Sequence, residues 1–377
     1  MTSTGARPSA RVEARGAGLG RRRRVASAIV IVDAGVAALL FGLWLGGDWP
    51  ADRLVALASA GPFTAWSLPV VRLVVQVCAV GTVGALITSI LLPRTEGELC
   101  ETARRCLQSA ARLALGWGVA TAAMLALTWS DETALPVAKL PLSQLLNGTT
   151  AGSFPEAIPY LFGALLSLLI SVGAASAQTV HGAIGLLVLS GYNLLPLSTQ
   201  GHATHNAITP YAVTVHVIAV SLWAGGLAGL LIHVRAHPDL LAVAVPRFSN
   251  LALVCYLAVG ASGLTAALLL LGSPSQLWSS RYGLLVWCKV AALMTLGCLG
   301  WRHRRRTVPA LVEKRSRRAF LRLAAAEACL MTVTVALGVA LSDAPTPDTT
   351  SPGQHSHAAP AGHSGSTAPV PTVLRRI

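Results

Sequence analysis

The sequence predicts an all-α, polytopic integral membrane protein, a bundle of about nine transmembrane helices with its amino terminus inside and its carboxyl terminus outside. Three observations carry this. Hydrophobic residues make up 53% of the 377 and charged residues only 12%, with a mean hydropathy of +0.61, whereas soluble domains of this length carry about twice that charged fraction. The apolar residues come in runs of about twenty, the length that crosses a hydrocarbon core as a helix. The basic residues gather between alternate runs, as the positive-inside rule requires. The formal charge of +14 is thereby assigned to topology, and no nucleic-acid partner is expected.

Along the chain, residues 1–25 are rich in Arg, Ala and Gly and read as a disordered basic cytoplasmic arm. Apolar runs follow at 26–47, 68–92, 112–130, 157–177, 180–198, 210–232, 249–271, 282–301 and 320–341. Arg21 to Arg24 could open a secretory signal with Ala58-Ser59-Ala60 as its cleavage site, but the run after them is too long for a signal core and ends well before Ala58. An uncleaved first helix is the expectation. Between the fourth and fifth runs stand only Gln178 and Thr179. One helix over 157–198 would be roughly 60 Å long, about twice the core thickness, so the chain must turn back there. With the amino terminus inside, Arg7 to Arg24, Arg94 to Arg112, Arg235 with Arg247, and Arg302 to Arg322 all become cytoplasmic. Arg53, Lys139 and Arg281, with Asp48, Asp52, Asp131, Glu132 and Glu156, fall outside. Merging the close pair would push RHRRR and EKRSRR outside, which argues for nine spans in a membrane domain at 26–341. Residues 342–377 turn rich in Pro, Ser, Thr and Gly and read as a disordered extracytoplasmic tail.

Function is sought among the polar residues that this pattern leaves in the membrane. The run from Tyr211 carries His216 in its outer third. A polar group without a partner in hydrocarbon costs several kcal/mol, so ionisable residues in spans usually face a bundle interior and bind, pair or conduct something. The preceding outer loop, GHATH, adds His202 and His205, and the three imidazoles suit copper, zinc or nickel. The alternative is that the loop histidines are ordinary and His216 bonds a neighbouring carbonyl. His216 and Trp223 are seven apart and share a helical face. Gly225, Gly226 and Gly229 let another helix come close. Asp33 and Glu327 lie near the inner third, so a cation has two stations along one path, unless these carboxyls pair with Arg322 or the backbone. Arg72, Gln76 and Lys289 lie at the outer level, where the two cations would repel a metal ion or hold an anion. In the tail, His355, His357 and His363 form a flexible cluster, an auxiliary metal-capture site or incidental to a solvated tail.

Cysteine and methionine add little. Cys78, Cys255, Cys288, Cys298 and Cys329 fall in spans and Cys100 and Cys106 on the cytoplasmic side, so no structural disulfide is expected. With Met124, Met294 and Met331 alone in spans, a thioether track is not expected either. There is no Walker loop, no HExxH and no hydrolase pattern, and the chain is not expected to be an enzyme.

Three stretches resemble the copper resistance protein D (CopD) family of bacterial inner-membrane proteins: HVIAVSLWAGG with His216, Trp223, Gly225 and Gly226; RFSNLALVCYLAVGASGLTAAL from Arg247; and LWSSRYGLLVWCKVAAL with Tyr282, Gly283 and Lys289. This signature is strongest over 210–341. GPFTAWSLPVVRLV from Gly61 and the GHATH loop resemble the CopD half of actinobacterial proteins that fuse it to a cytochrome oxidase assembly (CtaG) domain. The resemblance implies copper as the ion, a multi-pass location in the bacterial cytoplasmic (inner) membrane, and a ligand role for His216 and then for His202 and His205. It implies as partners an extracytoplasmic copper carrier or a cytochrome oxidase assembly protein, besides the lipid bilayer.

Copper transport or permeation across that membrane is therefore expected, contributing to copper homeostasis or resistance. The ion would enter at His202, His205 and His216 and pass beside Trp223 toward Asp33 and Glu327. A membrane metallochaperone that hands copper to an oxidase is the alternative. A b-type haem protein is a third reading, disfavoured because His181 and His216 fall at different depths.

Overall fold

The computed structural model describes residues 60–95, 98–140, 157–195, 208–270, 278, 281–307 and 317–343. The basic arm, the first run at 26–47 and the tail beyond Asp343 lie outside these residues. Eight helices are described: α1 (Pro62–Leu91), α2 (Glu101–Thr133), α3 (Ala157–Ser176), α4 (Val180–Asn193), α5 (Thr209–Gly229), α6 (Pro238–Leu270), α7 (Arg281–Arg302) and α8 (Arg317–Asp343). A two-residue antiparallel pairing of β1 (Arg94–Thr95) with β2 (Glu98–Leu99) joins α1 to α2. Among the described residues, five helical stretches are long and apolar enough to cross a membrane: α1, α2, α3, Pro210–Val234 and Pro238–Ala266. The chain is a multi-pass membrane helix bundle.

Several helices outrun the apolar runs that announced them. α1 starts at Pro62 rather than 68, because Gly61, at φ 96°, takes the left-handed turn into the helix and Pro62 supplies a pre-set first residue. α2 starts at Glu101 rather than 112, and so Cys106 is a fully buried helical residue instead of a loop residue. α6 starts at Pro238 and continues through Pro246, which puts Arg247 inside a helix. Hydropathy marks hydrocarbon, but a helix continues through the interface until something caps it. The turn-back after α3 is as expected. Thr179 caps α4, its side chain accepting from the Gly182 backbone N–H at 3.2 Å. The Asn193 amide then donates to Gly163 O and to Ser167 Oγ at 3.3 and 2.8 Å, holding α4 antiparallel to α3.

Glycines set the contact between the two parts of the bundle. α1 and α5 run parallel and meet backbone to backbone: a Cβ at Gly84 would collide with Gly225, one at Gly225 with the Val80 carbonyl, and one at Gly229 with Thr88. Such a small-residue crossing is a common membrane packing device. Gly226 beside it receives the Phe248 ring from α6.

The two ends of the bundle differ in chemistry. At one end Arg247 Nη1 caps α1 through Leu91 O at 2.9 Å, and Arg304 donates to Ser249 O and Asn250 Oδ1 at 3.2 and 3.0 Å. α5 and α7 both finish at this end in π-turns, Leu230–Val234 and His303–Thr307. At the opposite end lie the start of α5, with exposed Tyr211, and exposed Trp278.

Candidate metal site

α5 projects its functional face onto α6. Pro210 begins the helix without sacrificing a hydrogen bond, and the β-branched run that follows is kept helical because a spanning segment must pair its backbone internally. His216 meets Ser262 one helix away, with Nδ1 3.2 Å from Oγ. Ser262 spends its own proton on Ala258 O at 2.6 Å. Its oxygen therefore accepts, so the imidazole carries its proton on Nδ1 and leaves the Nε2 lone pair unused by this bond. The ring lies over Gly263 of α6, where a Cβ would make ordinary contact with it, 3.5 Å from Cε1. The ring is half-buried in the bundle. Lys289, from α7, lies within electrostatic reach of it.

Seven residues further along α5, about 10 Å along its axis, Trp223 is 6% exposed and packs edge-to-face on Tyr256 of α6, with centroids 5.7 Å apart. Tyr256 in turn lays its hydroxyl against α7, where a Cβ at Gly297 would meet Oη at 2.5 Å. Glu327 of α8, 5% exposed, brings its carboxyl close enough to the Trp223 indole to be attracted by it, although Nε1–H does not reach hydrogen-bonding geometry. A buried carboxyl facing a buried indole N–H is a polar spot inside the bundle that a cation, a proton or a water can complete.

Four helices therefore converge on two polar levels: His216, Ser262 and Lys289, then Trp223, Tyr256 and Glu327. His216, Trp223 and Glu327 are brought into one interior column. Asp33, His202, His205, His355, His357 and His363 lie outside the described residues. Among the described residues no group of three or more His, Cys, Asp or Glu side chains could hold a metal. The described metal donor is one imidazole with a hydroxyl behind it. By the register of the α1/α5 pair, Arg72 stands close to the level of His216. His181 is exposed in the first turn of α4. Ser262 and Tyr256 escaped the sequence reading, though both lie in the stretch from Arg247 and their spacing of six on α6 runs against the spacing of seven between His216 and Trp223. His233, half-buried in the π-turn, was also passed over.

No curated protein and no solved structure matches the chain. Residues 242–341 match the family model of CopD, copper resistance protein D. The matched stretch holds α7 and nearly all of α6 and α8, and so contributes Tyr256, Ser262, Lys289 and Glu327 to the two levels, with α5 adding His216 and Trp223. That match covers about a quarter of the chain, so it is the segment 242–341, within a helix bundle of membrane-spanning character, that is similar to copper resistance protein D.

Proposed function

We propose that this protein conducts copper across the bacterial cytoplasmic membrane, with His216 as the ligand at the outer level and Trp223 and Glu327 along the way inward. The match of residues 242–341 to copper resistance protein D is what supports copper as the ion. The observation that supports conduction is the column itself. An imidazole held on α6 by Ser262 stands about two turns above a carboxyl buried against an indole. In this reading His202 and His205 of the preceding loop deliver the ion to His216, Asp33 joins Glu327 at the inner level, and His355, His357 and His363 capture copper outside.

The same reading takes nine spans, with residues 1–25 inside, the membrane domain over 26–341 and the tail from 342 outside. Its support is that Arg247 and Arg304 lie at one end of the bundle and Tyr211 and Trp278 at the other, in line with basic residues inside and an aromatic belt at the interface.

Copper uptake into vesicles carrying the full chain tests the proposal. His216→Ala is expected to bring flux to the level of empty vesicles, and Ser262→Ala to weaken copper binding about 10- to 100-fold, the usual loss when the group behind a ligand is removed. Flux unchanged by His216→Ala sinks the ligand assignment. Background flux in wild type and variant alike, with copper still bound by wild type, favours handover to an oxidase assembly partner.

A further inference from the structure

The outward face of α7 carries a pattern that copper conduction does not use. Trp287, Val290, Met294, Cys298, Trp301 and Arg305 recur at steps of three or four and form one stripe along the helix. All six are exposed, Met294 at 62% and Trp301 at 60%. At one end of the stripe Trp287 stacks obliquely on Trp278, centroids 4.9 Å apart. At the other the chain passes into the π-turn His303–Thr307, and the Arg305 guanidinium lies over the Trp301 ring, 5.4 Å from its centroid.

The π-turn decides how the arginines are used. Arg304 is drawn back onto α6 by Ser249 and Asn250. Arg302, Arg305 and Arg306 are exposed around the end of the stripe. From Val290 to Trp301 is about 16 Å at 1.5 Å per residue, half of a ~30 Å hydrocarbon core and so the depth of one leaflet. A strip one leaflet deep, ending in an indole at the interface and a fork of guanidiniums just beyond it, has the shape and charge of a phospholipid whose headgroup is negative.

We infer that the α7 stripe is a binding site for an anionic phospholipid, its acyl chain along Val290, Met294 and Cys298 and its phosphate held by Arg302, Arg305 and Arg306. Trp301 sits at the level of the glycerol backbone and keeps Arg305 aimed at the phosphate. The cytoplasmic leaflet supplies such lipids, and each basic residue near its surface contributes about 1 kcal/mol. A neutral phosphocholine headgroup leaves that attraction unused.

The test is native mass spectrometry of the purified full chain in detergent, titrated with phosphatidylglycerol, phosphatidylcholine of the same acyl chains, and free glycerol phosphate. The wild type is expected to retain phosphatidylglycerol about tenfold over phosphatidylcholine, and the triple variant Arg302→Ala, Arg305→Ala, Arg306→Ala to lose that preference. Arg304 is left in place because it ties the turn to α6. Should the triple variant not fold, Arg305→Ala alone is expected to reduce the preference about threefold. Equal retention of both lipids by wild type, or a preference untouched by the substitutions, overturns the site. Displacement by glycerol phosphate reassigns the arginines to a soluble anion, and a doubled protein mass without bound lipid reassigns the stripe to a second copy of the chain.

Discussion

Lys289 stands within electrostatic reach of the imidazole proposed to bind copper, and two like charges inside a low-dielectric bundle repel strongly. The lysine therefore opposes occupancy of His216. Lys289→Met is expected to raise copper retention by the purified protein about tenfold, near 1.4 kcal/mol, measured as metal bound per chain; retention unchanged or lowered would show that the lysine does not face the ion. Glu327 sits on the other level, and Glu327→Gln keeps its shape while removing its charge. Vesicle uptake is expected to fall at least about tenfold, with copper bound to detergent-purified protein unchanged. Loss of binding together with flux would place the two residues in one site instead of two. Position 216 was legible from the chain alone because an ionisable residue in an apolar run stands out. Its partner was not, since Ser262 is one serine among many until α6 folds back beside α5. Glu327 beside Trp223 is harder still, since the two stand 104 positions apart with no local pattern to connect them.

At the scale of the elements, the crossing of α1 and α5 is the least forgiving contact. No side chain fits between Gly84 and Gly225. Gly225→Leu is expected to destabilise the bundle by about 3 kcal/mol or more, seen as a lower unfolding temperature in detergent, whereas Gly185→Ala, where a Cβ meets nothing within 4 Å, is expected to be silent. A matching drop for both would remove the crossing's special role. Arg247→Ala should uncover Leu91 O at the end of α1 and cost about 1 to 2 kcal/mol in the same assay. The apolar runs located the described helices correctly in order, because bilayer thickness dictates their length. They missed the extensions at Pro62, Glu101 and Pro238, which rest on a left-handed glycine, a hairpin and a proline instead of on hydropathy.

For the whole molecule, the nine-span arrangement makes a sidedness prediction. Single cysteines introduced at Ser9 and Ser364 in a chain with its native cysteines replaced are expected to react with a membrane-impermeant thiol reagent on opposite sides, the second from outside intact cells. Labelling of both from one side removes a span and reverses the tail. The basic segments that suggested this arrangement were readable early because charge segregation is a property of sequence, but how helices neighbour one another is not. The match over residues 242–341 covers α7 and nearly all of α6 and α8, and it leaves His216 to the helix just before. Where α1 touches α5, main chain rests on main chain, with no side chain between Gly84 and Gly225 that could repack. Any shift of one helix against the other at that level would have to be taken up by the backbone itself, for there is no rotamer to absorb it.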